Sequence, residues 1–556
     1  MVQVTYNNGS VKVGGVSDLV LTTFKVLGLV GWVYWLIFAI ISPVTMWDSN
    51  TYNLARLELE LRGGLFHNLL VNDNRQVFMT WTFDAIHLPF RLIKFGEGMP
   101  SFACLTGIIL TIYAVVKKEY NNVTAWISVC GLLAMPCLMF QATSTKPDLS
   151  VTFCFVIWFY ALYCYTISHR EKYIYMIALS LGFAAGAKAT GLLLVPLLGL
   201  VALIYIRKNL EHVRMLVLSC IIAFVLWGSI EIYINNYREY GHLMSPPGGI
   251  DRNAAGIRGA IASFIREVFE NTSLGFDSYI NRPNAITFFW EKSCRTILAQ
   301  LGLNNVGLTL DPNLSISDSS MHFLKTSSES CSDYGPVGGL AIWFALVTVP
   351  LGLLRKKISV VLMVSLFGLA YLLLFCLFVP WGLWGNRYLT ATFIPLSIAL
   401  IVHVEAGSVV WSKYLLRSII LVCVVITPIT SFNRNPCDIV AIVKDRQIFQ
   451  LRENIRMVPV LKDIATLGSG NKNVKVALVA QFDSWVLPFF DIKGIQIVPL
   501  GHTQVTLKSL KERGIRYILI LDGQVSTDVM KGCRLLRLYP GNGGFWNRSS
   551  NLLEII

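Results

Sequence analysis

The stretch Met46-Trp47-Asp48-Ser49-Asn50-Thr51-Tyr52 puts an aspartate just behind an apolar run that follows Lys25 and reaches Val44. A run of that length spans a bilayer, and with no small-residue cleavage site it reads as a retained helix. The carboxylate behind it then sits at the depth of lipid head groups, where it stays solvated and ionised; at the bilayer centre it would be expensive. Next, Leu54, Leu57, Leu61 and Leu65 recur at helical spacing, Arg56 with Glu60 and Glu58 with Arg62 stand four residues apart, and Gly63-Gly64 closes the segment. The pattern predicts an interfacial helix lying flat beside the membrane. A second such helix is predicted from about Val77 to Ile93, with Phe78, Trp81, Ala85, Leu88 and Leu92 on one face and Asp84, His87 and Arg91 on the other.

Composition sets the wider frame. The chain has 556 residues, 54% of them apolar and only 14% charged, with a mean hydropathy of +0.57; that is too apolar for a soluble multidomain protein and too long for a single span. The net charge of +14 does not indicate nucleic acid, because the Lys and Arg residues gather in short tracts between apolar runs, as orientation signals do. At about 20 residues per span, spans are predicted near 25–44, 100–116, 123–142, 150–168, 173–187, 189–206, 215–234, 337–354, 359–380, 388–403 and 416–431. The expectation is a polytopic α-helical membrane protein with about 11 helices. With the N-terminus inside, the inner segments collect the Lys and Arg tracts, such as Lys117-Lys118 and Arg355-Lys356-Lys357, while the short outer connections keep only Lys146, Lys188 and Arg387. The outside then holds a first loop at 45–98, a large loop at 235–335 and everything after 431. The predicted division is a transmembrane module over 1–431 and a small external α/β domain over 432–556, with strands at Val474 to Ala480, Ile495 to Pro499 and Tyr517 to Leu521 and a helix at Thr506 to Arg513.

Of the twelve cysteines, Cys294, Cys331, Cys437 and Cys533 fall outside the predicted spans. A Cys294–Cys331 bridge and unpaired thiols are both open. No CxxC or HxxxH spacing marks a metal site.

The candidate chemistry lies on the outer face. Asp48 and, in the short connection Thr143-Ser144-Thr145-Lys146-Pro147-Asp148, Asp148 are two acids on two loops facing one side. Each could instead cap the helix that follows it. Arg56, Arg75, Lys188 and Arg387 converge on the same surface; singly they read as snorkelling side chains, together as a site for an anionic head group. If the substrate is a sugar on a polyprenyl phosphate, the leaving phosphate needs positive charge but no proton, while the attacking hydroxyl must lose its proton to one carboxylate. Asp48 is assigned as that base and Asp148 as the acid that orients acceptor or sugar, with Tyr52, Lys146 and Asp73 as further substrate-positioning residues. No cofactor or divalent metal is required by this chemistry.

These parts, WDSNTYNLAR at 47–56, NDNRQ at 72–76, QATSTKPDLSV at 141–151, GFAAGAKATGLLLVP at 182–196 and WGLWGNRYLTATFIP at 381–395, resemble the GT-C membrane glycosyltransferases, in particular glycosyltransferase family 39, which includes protein O-mannosyltransferases and the lipid A aminoarabinose transferase. The resemblance implies a GT-C fold and a polyprenyl-phosphate sugar donor. It maps the family's catalytic aspartate to Asp48, its second-loop acid to Asp148, and its phosphate-holding basic residues to Arg75 and Arg56. The acidic pair of protein O-mannosyltransferases is broken here by Ser49, which argues against the usual protein acceptor. The expected activity is inverting sugar transfer to a lipid, glycan or protein hydroxyl at the outer face of a bacterial plasma membrane. The alternative is a transporter, flippase or polymerase of lipid-linked saccharides, of which a transporter should carry charge near mid-span.

Overall fold

The computed structural model describes residues 14–63, 75–243, 255–272, 285–306, 308, 323, 332–355, 359–382, 385–431, 433–469, 473–480, 484–500, 506–521, 526–540 and 549–556. Asp73, the Cys294–Cys331 bridge and Leu65 of the first predicted helix therefore involve positions outside the described residues.

Among the described residues, eight helices are long and apolar enough to cross a membrane, from Asp18–Ile41 to Val410–Thr430, and a ninth is formed if a bent pair counts as one span. The protein is a multi-pass integral membrane protein. Lys172–Ala187 and Val195–Ile206 are apolar but shorter, so every predicted span has a helical counterpart, although not all of them reach full bilayer length. The bent pair corrects the single span expected at 123–142. Asn122–Leu133 and Pro136–Ala142 meet at 77°, because Pro136 has no N–H to continue the helix. The second piece is wholly buried and delivers the chain to the loop carrying Lys146 and Asp148. The small residues of Gly182-Phe183-Ala184-Ala185-Gly186 have a direct use. A Cβ on Gly182 would lie 2.7 Å from the backbone of Ala223, and one on Gly186 would lie 1.7 Å from the carbonyl oxygen of Trp227. Glycine at these positions lets Lys172–Ala187 and Leu210–Trp227 touch backbone to backbone, which fixes where Lys188 emerges.

The segment between the first two spans departs from its prediction in two ways. Leu54–Gly63 is a helix, and Glu58 pairs with Arg62 at 2.8 Å as its spacing requires, but its apolar residues Leu54 and Leu57 pack against Trp485, Phe489 and Leu461 of the C-terminal part. Protein, not lipid, covers that face. The second predicted helix is broken into Arg75–Phe78, Thr82–Ile86 and Leu88–Ile93, and its polarity is inverted relative to a soluble helix. Asp84, His87 and Arg91 are buried, whereas Leu92 and Ile93 are exposed, the arrangement expected of a helix whose outer face meets lipid. Gly256–Glu270, within the segment predicted as a large loop at 235–335, repeats the pattern: Arg266, Glu267 and Glu270 are buried and Ile257 and Ile261 exposed.

The C-terminal part ends in a five-stranded sheet of order β2-β1-β3-β5-β4, where β1 is Val474–Ala480, β2 Ile495–Pro499, β3 Tyr517–Leu521, β4 Cys533–Tyr539 and β5 Ser550–Ile555. β1 pairs in parallel with β2 and β3, while β5 runs antiparallel to β3 and β4. The three predicted strands are the three parallel ones. Thr506 caps the helix Leu507–Glu512 through Ser509 N–H. This sheet domain is fastened to the membrane helices by a buried ionic knot. Arg91 bonds Asp491 through both terminal nitrogens at 2.7 and 3.0 Å, Glu58 at 2.9 Å and Glu97 at 3.1 Å.

Candidate active site

Asp48 lies at the start of a single wide π-helical turn, Ser49–Asn53, between the first span and Leu54–Gly63; such turns are uncommon and concentrate at functional sites. The turn is pinned on two sides. Asn50 donates through Nδ2 to the carbonyls of Val44 at 3.2 Å and Met46 at 2.8 Å, and the Ser49 hydroxyl meets that of Thr145 from the second connection. Two sequence-distant loops are thereby joined beside the carboxylate.

Asp48 and Asp148 open into one cleft of about 120 Å³, partly open to solvent, whose walls also include Tyr52, Asp84, Lys146, Lys188 and Tyr388. Asp48 Oδ2 accepts from Arg387 Nη1 at 2.6 Å and lies 3.1 Å from Lys146 Nζ. Asp148 Oδ1 accepts from Lys188, and its Oδ2 is buried with no hydrogen-bond partner among the described residues. Tyr388 ties the cations together: Lys188 Nζ sits 3.8 Å from the centre of its ring, and Arg387 donates to its hydroxyl at 2.7 Å. Arg75 stacks over Tyr52 at 4.3 Å, close enough that its charge acts on Asp48.

Electrostatics follow from this geometry. Burial raises the proton affinity of Asp48, but Arg387, Lys146 and Arg75 outweigh it and hold the carboxyl well below its ordinary value. Burial, with Arg387 nearby, pushes the Lys146 ammonium down, while Asp48 and Asp148 pull it back. Tyr52 is pushed well up by burial and by Asp48, so it remains a neutral phenol.

Of the predicted site residues, Asp48, Asp148, Lys146, Lys188 and Tyr52 line the cleft, and Arg387 and Arg75 stand directly behind it. Arg56 takes another place. Its guanidinium is buried and donates to the carbonyl of Met79, a cleft-wall residue, at 2.9 Å, and its charge acts on Asp84; Arg56 itself does not line the cleft. Asp84 also lines the cleft; the sequence offers it only as part of the polar stripe with His87 and Arg91, with no role in the site. Burial, offset in part by Arg56, pushes its carboxyl up to about 7. Among the described residues no group of three His, Cys, Asp or Glu side chains is placed to hold a metal ion.

The fold is similar to that of ArnT from Cupriavidus metallidurans, in the apo state and bound to undecaprenyl phosphate; each structure gives a TM-score of 0.51 at 11% identity, over 96% of this chain and 98% of that one. This chain has a GT-C fold. Within the GT-C fold, residues 77–227 match the family model of dolichyl-phosphate-mannose-protein mannosyltransferases, a segment that supplies Asp84, Lys146, Asp148 and Lys188 to the cleft. No curated protein matches the chain in sequence.

Proposed function

We propose that this GT-C chain transfers a sugar from a polyprenyl-phosphate-linked donor to an acceptor hydroxyl, with inversion, at the outer face of a bacterial plasma membrane. The observation that carries the reading is the meeting of two carboxylates and three cations, Asp48, Asp148, Lys146, Lys188 and Arg387, around one cleft at the ends of the spans. The undecaprenyl phosphate held by ArnT from Cupriavidus metallidurans and the family model over 77–227 support the donor class.

In this reaction the acceptor oxygen bonds to the anomeric carbon as the bond from that carbon to the phosphate oxygen breaks. The electron pair leaves with polyprenyl phosphate, and the hydroxyl proton passes to Asp48. A carboxylate clamped by two cations is a weak base, so the donor has a second task. Its phosphate competes for Arg387, Lys146 and Lys188, and as those charges turn toward it the proton affinity of Asp48 rises. The same cations stabilise the charge that builds on the leaving group, so the step needs no cofactor or divalent metal. Asp148, held by Lys188, orients the acceptor or sugar, and Tyr52 keeps Arg75 in place by stacking.

A second assignment exchanges the acids, on the observation that Asp148 Oδ2 has no hydrogen-bond partner among the described residues and can accept a proton directly. One assay separates the two: sugar transfer from defined polyprenyl-phosphate donors in membranes containing wild type, Asp48→Asn or Asp148→Asn. Removing the base is expected to lower turnover by about 100- to 10,000-fold. Full activity in Asp48→Asn removes Asp48 from that role.

A further inference from the structure

The sheet domain touches the membrane module at the segment that carries Asp48. Three contacts from different residues converge on Trp47 and Asn50, on either side of Asp48. Gln450 Nε2 donates to Asn50 Oδ1 at 2.9 Å, the Val486 N–H donates to the Asn50 carbonyl at 3.2 Å, and the Trp485 indole packs edge-on against Trp47 with ring centres 5.2 Å apart. Asn50 and Trp485 are fully buried and Gln450 nearly so. Asn50 is thus bonded at both ends of its amide, its nitrogen to Val44 and Met46 at the end of the first span and its oxygen to Gln450. It is the hinge pin between span and external domain, two residues from Asp48. The same seam continues at Arg62, which donates to the Phe490 carbonyl at 3.1 Å.

A π-helical turn has a wider, less favourable backbone than an α-helix, so its shape depends on what holds it from outside. We propose that the C-terminal sheet domain is part of the catalytic apparatus, and that Gln450 and Trp485, acting through Asn50 and Trp47, are positioning residues that hold the turn 49–53 and so aim Asp48 into the cleft. The inference rests on the catalytic reading of Asp48. It gives the external domain a role at the reaction centre even though none of these three contacts lies in the cleft itself.

The test uses the full chain in detergent or liposomes. In Gln450→Ala the turnover number is expected to fall about 10- to 100-fold while KM for the lipid donor stays within about twofold, because misplacing a reacting group costs rate more than binding. In an Asp48→Asn background the same substitution is expected to add nothing, since both act on one group; a merely structural role would remain additive. Amide hydrogen exchange gives a readout that does not depend on the reaction: residues 47–54 are expected to exchange about tenfold faster in Gln450→Ala, with β1 and β3 unchanged. Unchanged exchange at 47–54 overturns the proposal whatever the activity, as does full turnover in Gln450→Ala when wild type is active. If wild type transfers no sugar yet the variant exchanges faster, the coupling is supported and the sugar-transfer reading fails. Trp485→Phe keeps a ring in the slot, is expected to show the same pattern more weakly, and stands in if Gln450→Ala does not fold. Arg534→Ala, on an exposed ion pair of β4 away from the seam, is expected to match wild type throughout.

Discussion

The rim helix Leu88–Ile93 and the strand β3 sit on either side of one seam and obey opposite rules. In the helix Arg91 is 2% exposed while Leu92 and Ile93 are 61% and 67% exposed; in β3 Leu519 and Ile518 are completely buried. The strand belongs to a small water-facing domain, where burying apolar surface is the main gain. The helix belongs to a membrane rim, where lipid is as apolar as the side chains and offers no penalty for leaving them outside, so charge is drawn inward to find partners. Its burial therefore depends on pairing. Arg91 has three acidic partners, and it is the cation they share; without it Glu58 keeps Arg62, Asp491 keeps Lys94 and Glu97 keeps Arg446 at 3.6 Å.

Breaking the rim side of this comparison should give the larger effect. Arg91→Met fills similar volume but takes the shared cation from Glu58 and Glu97, both buried, and from the half-buried Asp491, at an expected cost of about 4 kcal/mol. Unfolding in detergent checks it, with proteolysis between membrane module and sheet domain as a second readout. On the water-facing side, Leu519→Ala removes apolar contacts and leaves a cavity, for about 3 kcal/mol, with the loss confined to the sheet domain. The smallest effect sharpens the comparison through pH. Asp84 binds its proton more tightly in the folded state, at about 7, than in the unfolded chain, at about 4. Its contribution is therefore fully present below the unfolded value and lost as pH rises through the folded one. Stability should fall as pH rises through this window, and Asp84→Asn should flatten the slope. A remaining slope is expected from Glu453, which burial, offset by Arg434 and Lys146, pushes up to about 7. An unchanged slope in Asp84→Asn would remove Asp84 from this account.

Much of the architecture was legible because it is written in local pattern. Apolar runs of span length and Lys/Arg tracts between them need only neighbouring residues to be read, and so do the runs that became β1, β2 and β3. The failures are equally local in origin. Arg534 and Arg537 interrupt Cys533–Tyr539, an edge strand exposed over most of its length, so β4 gave no alternation to read. Periodicity also reports that a helix has two faces without saying which is inward. Asp84 and Arg91 for that reason carry no role in the sequence beyond one face of a helix, and Arg266 and Glu267 none at all, although a polar stripe next to a span was a usable signal.

The candidate site divides along the same line. Trp47-Asp48-Ser49, Lys146, Asp148, Lys188 and Arg387 could be singled out from the sequence, because charge is scarce in an apolar chain and each stood at the end of a span. Their pairing could not. Asp48 meets Arg387 across 339 positions and Asn50 meets Gln450 across 400, and no local pattern encodes such a match. The sequence by itself determined that this chain crosses the membrane many times, keeps its isolated charges at one rim and ends in a sheet domain, since hydropathy and spacing act over one helix or strand. Tertiary structure alone decided that Asp48 is held between Arg387 and Lys146, that Arg56 turns to the wall, and that Gln450 reaches the turn behind Asp48. Those outcomes depend on how whole elements pack, where a buried charge or amide accepts only the partner that folding brings to it.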